Sequence, residues 1–222
     1  GRARPDQVRH AWSVQSCFGN PCFDSDSAIK SARSRVYPDR DTHAGAMHEL
    51  SKRLARGDQT AFAELYDACA DRVHRYLVVR LGSRHDADDV LQETFVRLAR
   101  TRRRLARVEN LVAYVFTVAR NEAARWLRRR RRSREEGSKA AGEALSTEAA
   151  AEDGDARETA ELVATALGRL TPEQREVVEL KAFGGLTFRE IGEVTGLPQG
   201  TVATRYRTAI GKLRGWLARE LS

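Results

Sequence analysis

Toward its C-terminus the chain reads Thr187-Phe-Arg-Glu-Ile-Gly-Glu-Val-Thr-Gly-Leu-Pro-Gln-Gly-Thr-Val-Ala-Thr-Arg-Tyr-Arg-Thr-Ala-Ile-Gly-Lys-Leu-Arg214. Thr187 and Glu190 have the spacing of a capping box, in which each side chain bonds to the other residue's backbone N–H, so a helix begins there. Gly196 suits the left-handed conformation that ends a helix, and Pro198 suits the start of the next one. The pattern therefore predicts two helices around a tight turn.

The second of these helices has one apolar and one polar face. Its apolar residues recur at steps of three or four and should face inward: Val202, Tyr206, Ile210 and Leu213. The residues expected to point outward are Gln199, Ala203, Thr204, Arg207 and Thr208. A helix-turn-helix of this kind sets its second helix into the DNA major groove. The alternative is an ordinary helical hairpin with a solvated basic face, but the caps, the turn and the arginines together favour DNA binding.

Length and charge limit the possible classes of protein. The chain has 222 residues, enough for one large or two small domains. It carries 39 Lys+Arg against 31 Asp+Glu, a formal net charge of +8, which favours a polyanionic partner, nucleic acid before membrane. No apolar run is long enough to span a membrane, and no segment resembles a signal peptide. We therefore expect a cytoplasmic protein without a membrane partner.

The sequence contains no convincing catalytic or metal site. Three cysteines are too few for a disulfide scaffold. Cys17 and Cys22, with His10 and His43 as further candidate ligands, are too loosely spaced for a typical zinc site. No nucleophile with a base and no phosphate-cradling glycine loop stands out, since Gly184-Gly185 is better explained as a helix stop. We therefore expect no cofactor, no metal and no enzymatic activity.

The pattern of apolar residues divides the chain into four parts. Residues 1–46 lack a helical period and are predicted to be a disordered extension, or else to precede a natural start at Met47, the only methionine. Residues 47–132 form a helical domain, with cap signals at Asp58, Ser83 and Asn110. No alternating β-branched segment is bracketed by turn residues, so the predicted class is all-α.

The remaining two parts are a linker and a second helical domain. Residues 133–160 are rich in Ala, Glu, Gly and Ser, and eight acids oppose three bases over 134–158, which indicates a flexible acidic linker. Residues 161–222 form a small helical domain that contains the helix-turn-helix. Thr171-Pro-Glu-Gln174 predicts another capped helix just before it.

The helix that starts at Asn110 has the strongest charge pattern. Between Arg120 and Arg132 it carries seven arginines and one glutamate, and arginines hold phosphates. Aromatic rings bind unstacked bases at about 1–3 kcal/mol per base, and opening one duplex step costs about 1.4 kcal/mol. The helix could therefore trap one or two opened bases, but not a full bubble alone. The alternative is that the arginines form a solvated face and that the aromatic residues of this helix, Tyr114, Phe116 and Trp126, belong to the core.

An acidic helix face stands out in this basic chain. Asp88, Asp89, Gln92 and Glu93 lie on the outer side of the helix that begins after Ser83. Such a face is a poor match for DNA and a better match for a basic protein surface.

These segments resemble the two conserved regions of bacterial RNA polymerase sigma factors. Two segments resemble region two: Asp86-Ala-Asp-Asp-Val-Leu-Gln-Glu-Thr-Phe-Val-Arg-Leu98 and Tyr114-Val-Phe-Thr-Val-Ala-Arg-Asn-Glu-Ala-Ala-Arg-Trp-Leu-Arg-Arg129. Region four is resembled by Leu170-Thr-Pro-Glu-Gln-Arg-Glu-Val-Val-Glu-Leu180 together with the helix-turn-helix. The order and the absence of a middle domain are similar to the extracytoplasmic-function (ECF) group, which implies a factor that directs core polymerase to promoters.

The resemblance implies roles for particular residues. On the first domain it places polymerase docking, on the clamp helices of the β′ subunit, at Asp89, Gln92 and Glu93. It places reading of the minus-ten box and melting at the loop 108–110 and at Arg120, Asn121, Arg125, Arg128 and Arg129. On the second domain, which would also contact the β flap, it places reading of the minus-thirty-five box at Thr201, Thr204, Arg205 and Arg207. The partners implied are core RNA polymerase, promoter DNA and an anti-sigma factor.

The chain departs from the family pattern at a few positions. Ala203 stands where Lys or Arg is usual, and Arg is favoured at Thr208 and Ile210. These changes imply weaker or different recognition of the upstream box. On the first domain, Tyr114 replaces a common Trp, which is a mild change. A stand-alone helix-turn-helix regulator is the alternative function, and it would bind an operator tightly without polymerase.

The linker sets a condition on DNA binding. The two boxes lie about 70 Å apart, two helical turns at 34–36 Å per turn, whereas a flexible linker of this length has a root-mean-square span near 30 Å and a limit of about 95 Å. Tight binding to both boxes should therefore require the core enzyme to hold the domains apart.

Overall fold

The computed structural model describes residues 40–137 and 162–220. All packing discussed below lies within the compact unit Ala44–Ser222. The described residues are helices and turns without a strand, which confirms the predicted all-α class. None of the helices in these two ranges combines the length and the apolar character that a membrane crossing needs.

The N-terminal module is a bundle of helices. Its elements are α1 (Arg40–Arg56), α2 (Gln59–Leu81), α3 (Arg84–Arg100), a 3₁₀ helix (Arg102–Arg107) and α4 (Leu111–Gly137). Helices α2, α3 and α4 pack against one another. Helix α1 begins ahead of Met47, and α4 continues past Arg132, so both helices extend beyond the boundaries expected from sequence. Arg and Glu are good helix formers, which explains the continuation of α4 into the polar segment.

The three predicted caps of this module are present. The Asp58 carboxylate accepts from the backbone N–H groups of Thr60 and Ala61, and the Ser83 hydroxyl accepts from that of Asp86. The side-chain oxygen of Asn110 accepts from the Ala113 N–H at 3.1 Å. Each cap satisfies N–H groups that have no partner within the helix.

Asp58 also ties α1 to α2 and makes this junction sensitive to pH. Its hydrogen bonds to Thr60 and to Arg53, whose Nε lies 2.8 Å from Oδ2, hold the pKa of the carboxyl well below its ordinary value of 3.8. Because the folded pKa is depressed, this stabilisation is fully present above pH 3.8 and is lost as the pH falls through the folded pKa.

We therefore expect Asp58→Asn to reduce the loss of stability on acidification. Asn retains the cap but lacks the titrating charge. Urea unfolding of both proteins at neutral and acidic pH measures the effect. Identical pH profiles for the two proteins would contradict the assignment.

The C-terminal module contains the helix-turn-helix. Its elements are α5 (described over 162–168), α6 (Pro172–Val178), a π-helical turn (Glu179–Phe183), α7 (Phe188–Thr195) and α8 (Gln199–Glu220). Thr171 caps α6, the Thr187–Glu190 capping box is formed in both directions, and Gly196 ends α7 in the left-handed conformation with φ 73°. The predicted helix-turn-helix is therefore confirmed, with α8 starting just after Pro198.

The two modules share one hydrophobic core. The π-helical turn packs on α2, and α7 packs on α4. Leu180, Leu186 and Ile191 of the C-terminal module are fully buried in the same cluster as Tyr76 and Phe116 of the N-terminal module. The sequence predicts two helical domains, but nothing in it predicts that their cores merge.

Helical spacing predicts Tyr66, Tyr206 and Ile210 as core positions, but the structure leaves all three partly or largely exposed. Tyr66 is 47% exposed, with its ring 4.8 Å from that of Phe95. On α8, Tyr206 and Ile210 are only half-buried, because the small Ala209 occupies the centre of the contact. Burial raises the pKa of the Cys69 thiol to about 11, so this cysteine is a core residue.

Two sequence predictions lie outside the described residues. The first is the linker beyond Gly137, together with its acidic charge. The second is the head of the chain, with the side chains of Cys17, Cys22, His10 and His43. Among the side chains that the structure describes, no group of three or more His, Cys, Asp or Glu could hold a metal ion.

Candidate nucleic-acid interface

The predicted strand-reading residues lie on the outer face of α4. The helix buries Leu111, Val115 and Ala119 against α2 and α3, so its polar side chains point away from the bundle. Asn121, Arg125, Arg128 and Arg129 are exposed, and Arg120 is half-buried. The local sequence thus brings four of the five predicted residues to one open surface.

A buried carboxylate holds one of these arginines. Glu122 is only 5% exposed, and it accepts a hydrogen bond of 2.7 Å from Arg125 Nη1. Its Oε1 also lies 3.1 Å from Arg97 Nε on α3. Glu122 therefore fixes Arg125 against the bundle, a role that sequence reasoning missed because it counted Glu122 only as a charge opposing the arginines.

The aromatic residues of α4 have different surroundings. Phe116 is fully buried, with its ring 5.9 Å from that of Tyr76. Tyr114 and Trp126 are half-buried, and the Arg130 guanidinium lies 5.0 Å from the Trp126 ring centroid. Phe116 is thus a core residue, whereas Tyr114 and Trp126 keep surface that a base could contact.

Arg120 is engaged by the C-terminal module. Its Nε and Nη2 donate to the two oxygens of Glu176, at 2.8 and 3.1 Å, in a bidentate pair. Hydrogen bonding to Glu176 raises the pKa of Arg120 above its ordinary value, although burial opposes the shift. The guanidinium expected to face DNA therefore faces a carboxylate instead.

A buried charge cluster surrounds this pair. Glu179 is fully buried and accepts from Arg175 Nε at 2.6 Å and from Arg80 Nη1 at 3.0 Å. Arg80 Nη2 also lies 3.7 Å from Glu176. Burial works against the charged form of Arg80, but Glu179, Tyr76 and Glu176 together outweigh it, and the pKa of Arg80 is raised. A buried charge of this kind is tolerated only when it is paired.

Two further contacts join the modules. Asn110 Nδ2 donates to Glu193 Oε2 at 2.7 Å. Arg72 donates to the backbone oxygens of Gly184 and Gly185, at 3.0 and 3.2 Å. We call Glu176, Glu179 and Glu193 the interface carboxylates. A sequence signal exists for Glu179, which interrupts an apolar run at a position that helical spacing would bury.

The helix-turn-helix presents its predicted residues to solvent. On α8, Thr201, Thr204 and Arg207 are exposed, and Arg205 is half-buried. The Thr204 hydroxyl donates to the Gly200 carbonyl at 3.0 Å, within its own helix. The predicted DNA-binding side of this module is thus accessible while the modules are packed together.

The acidic face of α3 is also open. Asp89, Gln92 and Glu93 are exposed, whereas Val90, Leu91 and Leu98 on the opposite side are buried. The periodicity of α3 correctly predicts which side chains face outward.

Each of the two modules matches a known protein family. The family described as sigma-70 region 2 matches residues 65–133, and sigma-70 region 4 matches residues 160–213. The chain is 32% identical to the ECF RNA polymerase sigma factor BldN of Streptomyces coelicolor, over 79% of this chain and 67% of that protein. It is also 32% identical to the RNA polymerase sigma factor CarQ of Myxococcus xanthus, over 73% of this chain and 92% of that protein.

Solved structures share the fold. CnrH, in complex with the cytosolic domain of CnrY, aligns with a TM-score of 0.59 at 24% identity, covering 78% of this chain and 98% of that one. The sigma factor RpoE from Bartonella quintana, in complex with the anti-sigma factor NepR, aligns with a TM-score of 0.50 at 22% identity, covering 66% of this chain and 89% of that one.

Proposed function

The chain belongs to the ECF RNA polymerase sigma factors, which act in transcription initiation, and we propose a division of that work between its two modules. The N-terminal module docks on core polymerase through α3 and holds the melted minus-ten strand on α4. The C-terminal module contacts the β flap and reads the minus-thirty-five box with α8. The single observation that carries the proposal is the combination, on one chain in family order, of an acidic outer helix, an arginine-rich helix and a helix-turn-helix.

On α4, the proposed contacts follow from exposure and charge. Arg125, Arg128 and Arg129 bind strand phosphates, and Asn121 contacts a flipped base at the N-terminal end of this row. The half-buried ring of Tyr114, N-terminal to Asn121, and that of Trp126, next to Arg125, give a stacking surface. Arg120 joins the row only after it leaves Glu176.

On α3, Asp89, Gln92 and Glu93 form the proposed docking face for the β′ clamp helices. Carboxylates on an exposed face attract a basic partner and set its orientation. On α8, Thr201, Thr204, Arg205 and Arg207 are the proposed contacts to the upstream box.

We further propose that an anti-sigma factor controls this chain. The Bartonella RpoE, which shares its fold, was solved in complex with the anti-sigma factor NepR. We expect no enzymatic activity of its own. A stand-alone helix-turn-helix regulator is not favoured, because that reading leaves the region-two match over 65–133 without a role.

Transcription in vitro tests the function directly. Purified protein is added to core polymerase with fragmented genomic DNA, and the new RNA ends are sequenced. We expect starts at a defined set of sites that share two short boxes. RNA ends identical to those of core enzyme alone would overturn the proposal.

Replacing Asn121 with alanine tests the minus-ten assignment. Because a hydrogen bond between the Asn121 amide and a base contributes about 0.5–1.5 kcal/mol, transcription should fall about two- to tenfold. Asn121 is exposed, so the fold should be unchanged. Pull-down of core polymerase serves as the control and should match the wild type. Wild-type transcription by the variant would remove Asn121 from the site.

A further inference from the structure

The packing of the modules places carboxylates where DNA is proposed to bind. Glu176 is held in a fork by Arg120, with two hydrogen bonds between the planar guanidinium and the carboxylate. Arginine makes the same bidentate contact with a phosphate group. The Arg120 side chain is 34% exposed, but its Nε and Nη2 both donate to Glu176, so a phosphate cannot make the same two-bond contact without displacing that carboxylate.

A carboxylate of the C-terminal module also engages the start of α4. Asn110, in the segment 108–110 assigned to the minus-ten box, donates instead to Glu193 on α7. Thus two side chains of the proposed strand-reading surface, at separate points of α4, are engaged by acids of the C-terminal module.

Other contacts hold Glu176 in place. Glu179 is buried between Arg80 and Arg175 and anchors the segment that carries Glu176. Gly184 packs so closely on Phe116 that a Cβ at this position would lie 2.8 Å from the Phe116 ring. Arg72 adds hydrogen bonds to the Gly184 and Gly185 carbonyls. Glu176 is therefore positioned by a packed interface, not by a chance surface ion pair. Glu193 is exposed on α7 and also accepts from Arg189 Nε at 3.2 Å.

We propose that the interface carboxylates are a built-in competitor for DNA, which occupies Arg120 and Asn110 until the modules separate. The inference rests on the proposed DNA-binding role of α4. The packed state would inhibit DNA binding by α4 but not by α8, because Thr201, Thr204 and Arg207 on α8 remain exposed in it. Core polymerase that holds the modules at the spacing of the two promoter boxes would also separate α4 from these carboxylates.

The full-length protein without polymerase tests the competition. The variant Glu176→Gln with Glu193→Gln keeps side-chain shape but removes the negative charges that hold Arg120 and Asn110. The probe is a fluorescent single strand of random sequence, followed by anisotropy. We expect about tenfold tighter binding, since hydrogen bonds to charged groups are the ones lost.

Control variants separate competition from a simple charge effect. Asp67→Asn with Glu49→Gln makes the same change in net charge at exposed sites on α2 and α1 and should leave affinity within about twofold. Arg72→Ala removes a cation, so charge alone predicts weaker binding, whereas a loosened interface predicts tighter binding. Equal gains in the test and control pairs, or weaker binding by Arg72→Ala, would overturn the proposal.

A distance measurement keeps this proposal separate from the one on transcription. Dyes on α3 and α8 of the full chain report whether the modules are apart. We expect lower energy transfer in the Glu176→Gln and Glu193→Gln variant than in the control pair, with or without any transcription activity. Unchanged energy transfer together with unchanged DNA binding would rule out the proposed competition and leave the proposed function intact.

Discussion

Replacing Phe116 with alanine is expected to lower the free energy of unfolding by about 3–5 kcal/mol, the usual cost of truncating a buried phenylalanine. The ring is fully buried and packs on Tyr76. It also lies against Gly184 of the C-terminal module. Because no side chain stands at Gly184, the cavity cannot be refilled from that side, which places the expected loss toward the upper end.

Denaturant unfolding followed by far-UV circular dichroism measures this change. Val96→Ala on α3 is the matched control, because Val96 is 41% exposed and loses little contact on truncation. We expect the control to cost less than about 1 kcal/mol. A loss of the same small size in Phe116→Ala would mean that the ring is not part of a shared core.

Reversing the charge of Glu93 should weaken binding to core polymerase by about a hundredfold. The substitution Glu93→Arg places a cation on the face proposed to meet a basic surface, and like charges brought together at an interface cost several kcal/mol. Glu93 is exposed on α3, so the helix should fold normally. Binding of labelled protein to core enzyme, measured at two salt concentrations, gives the affinity and its electrostatic part.

Glu49→Arg is the control for that measurement. It makes the same charge change on an exposed position of α1, away from α3. We expect the control to bind within about threefold of wild type, since isolated surface charges contribute little. If Glu93→Arg also binds within that range, α3 is not the docking face.

Local sequence signals determined most of the helices. Asp58, Ser83 and Thr187 sit at helix starts because a short polar side chain there satisfies free N–H groups. Gly196 ends α7 because it adopts a positive φ without strain. Each of these effects depends on residues within a few positions along the chain, so each could be predicted without a fold.

The outward faces of α3 and α8 were predictable for the same reason. Helical periodicity places Glu93 opposite Leu91, and Arg207 opposite Val202, independently of the tertiary packing. Tyr66 shows where this reasoning fails, because its exposure depends on how far the neighbouring helix covers it. Aromatic residues on a half-covered face need the packing to be known.

The sequence alone thus determined the all-α class, the caps, the helix-turn-helix and the family to which the chain belongs. Only the tertiary structure decided that the two modules share a core, that Glu179 is buried between two arginines, and that Glu176 and Glu193 engage Arg120 and Asn110. These pairs join residues far apart in the chain. Their formation depends on the three-dimensional approach of whole helices, which no local pattern of residues encodes.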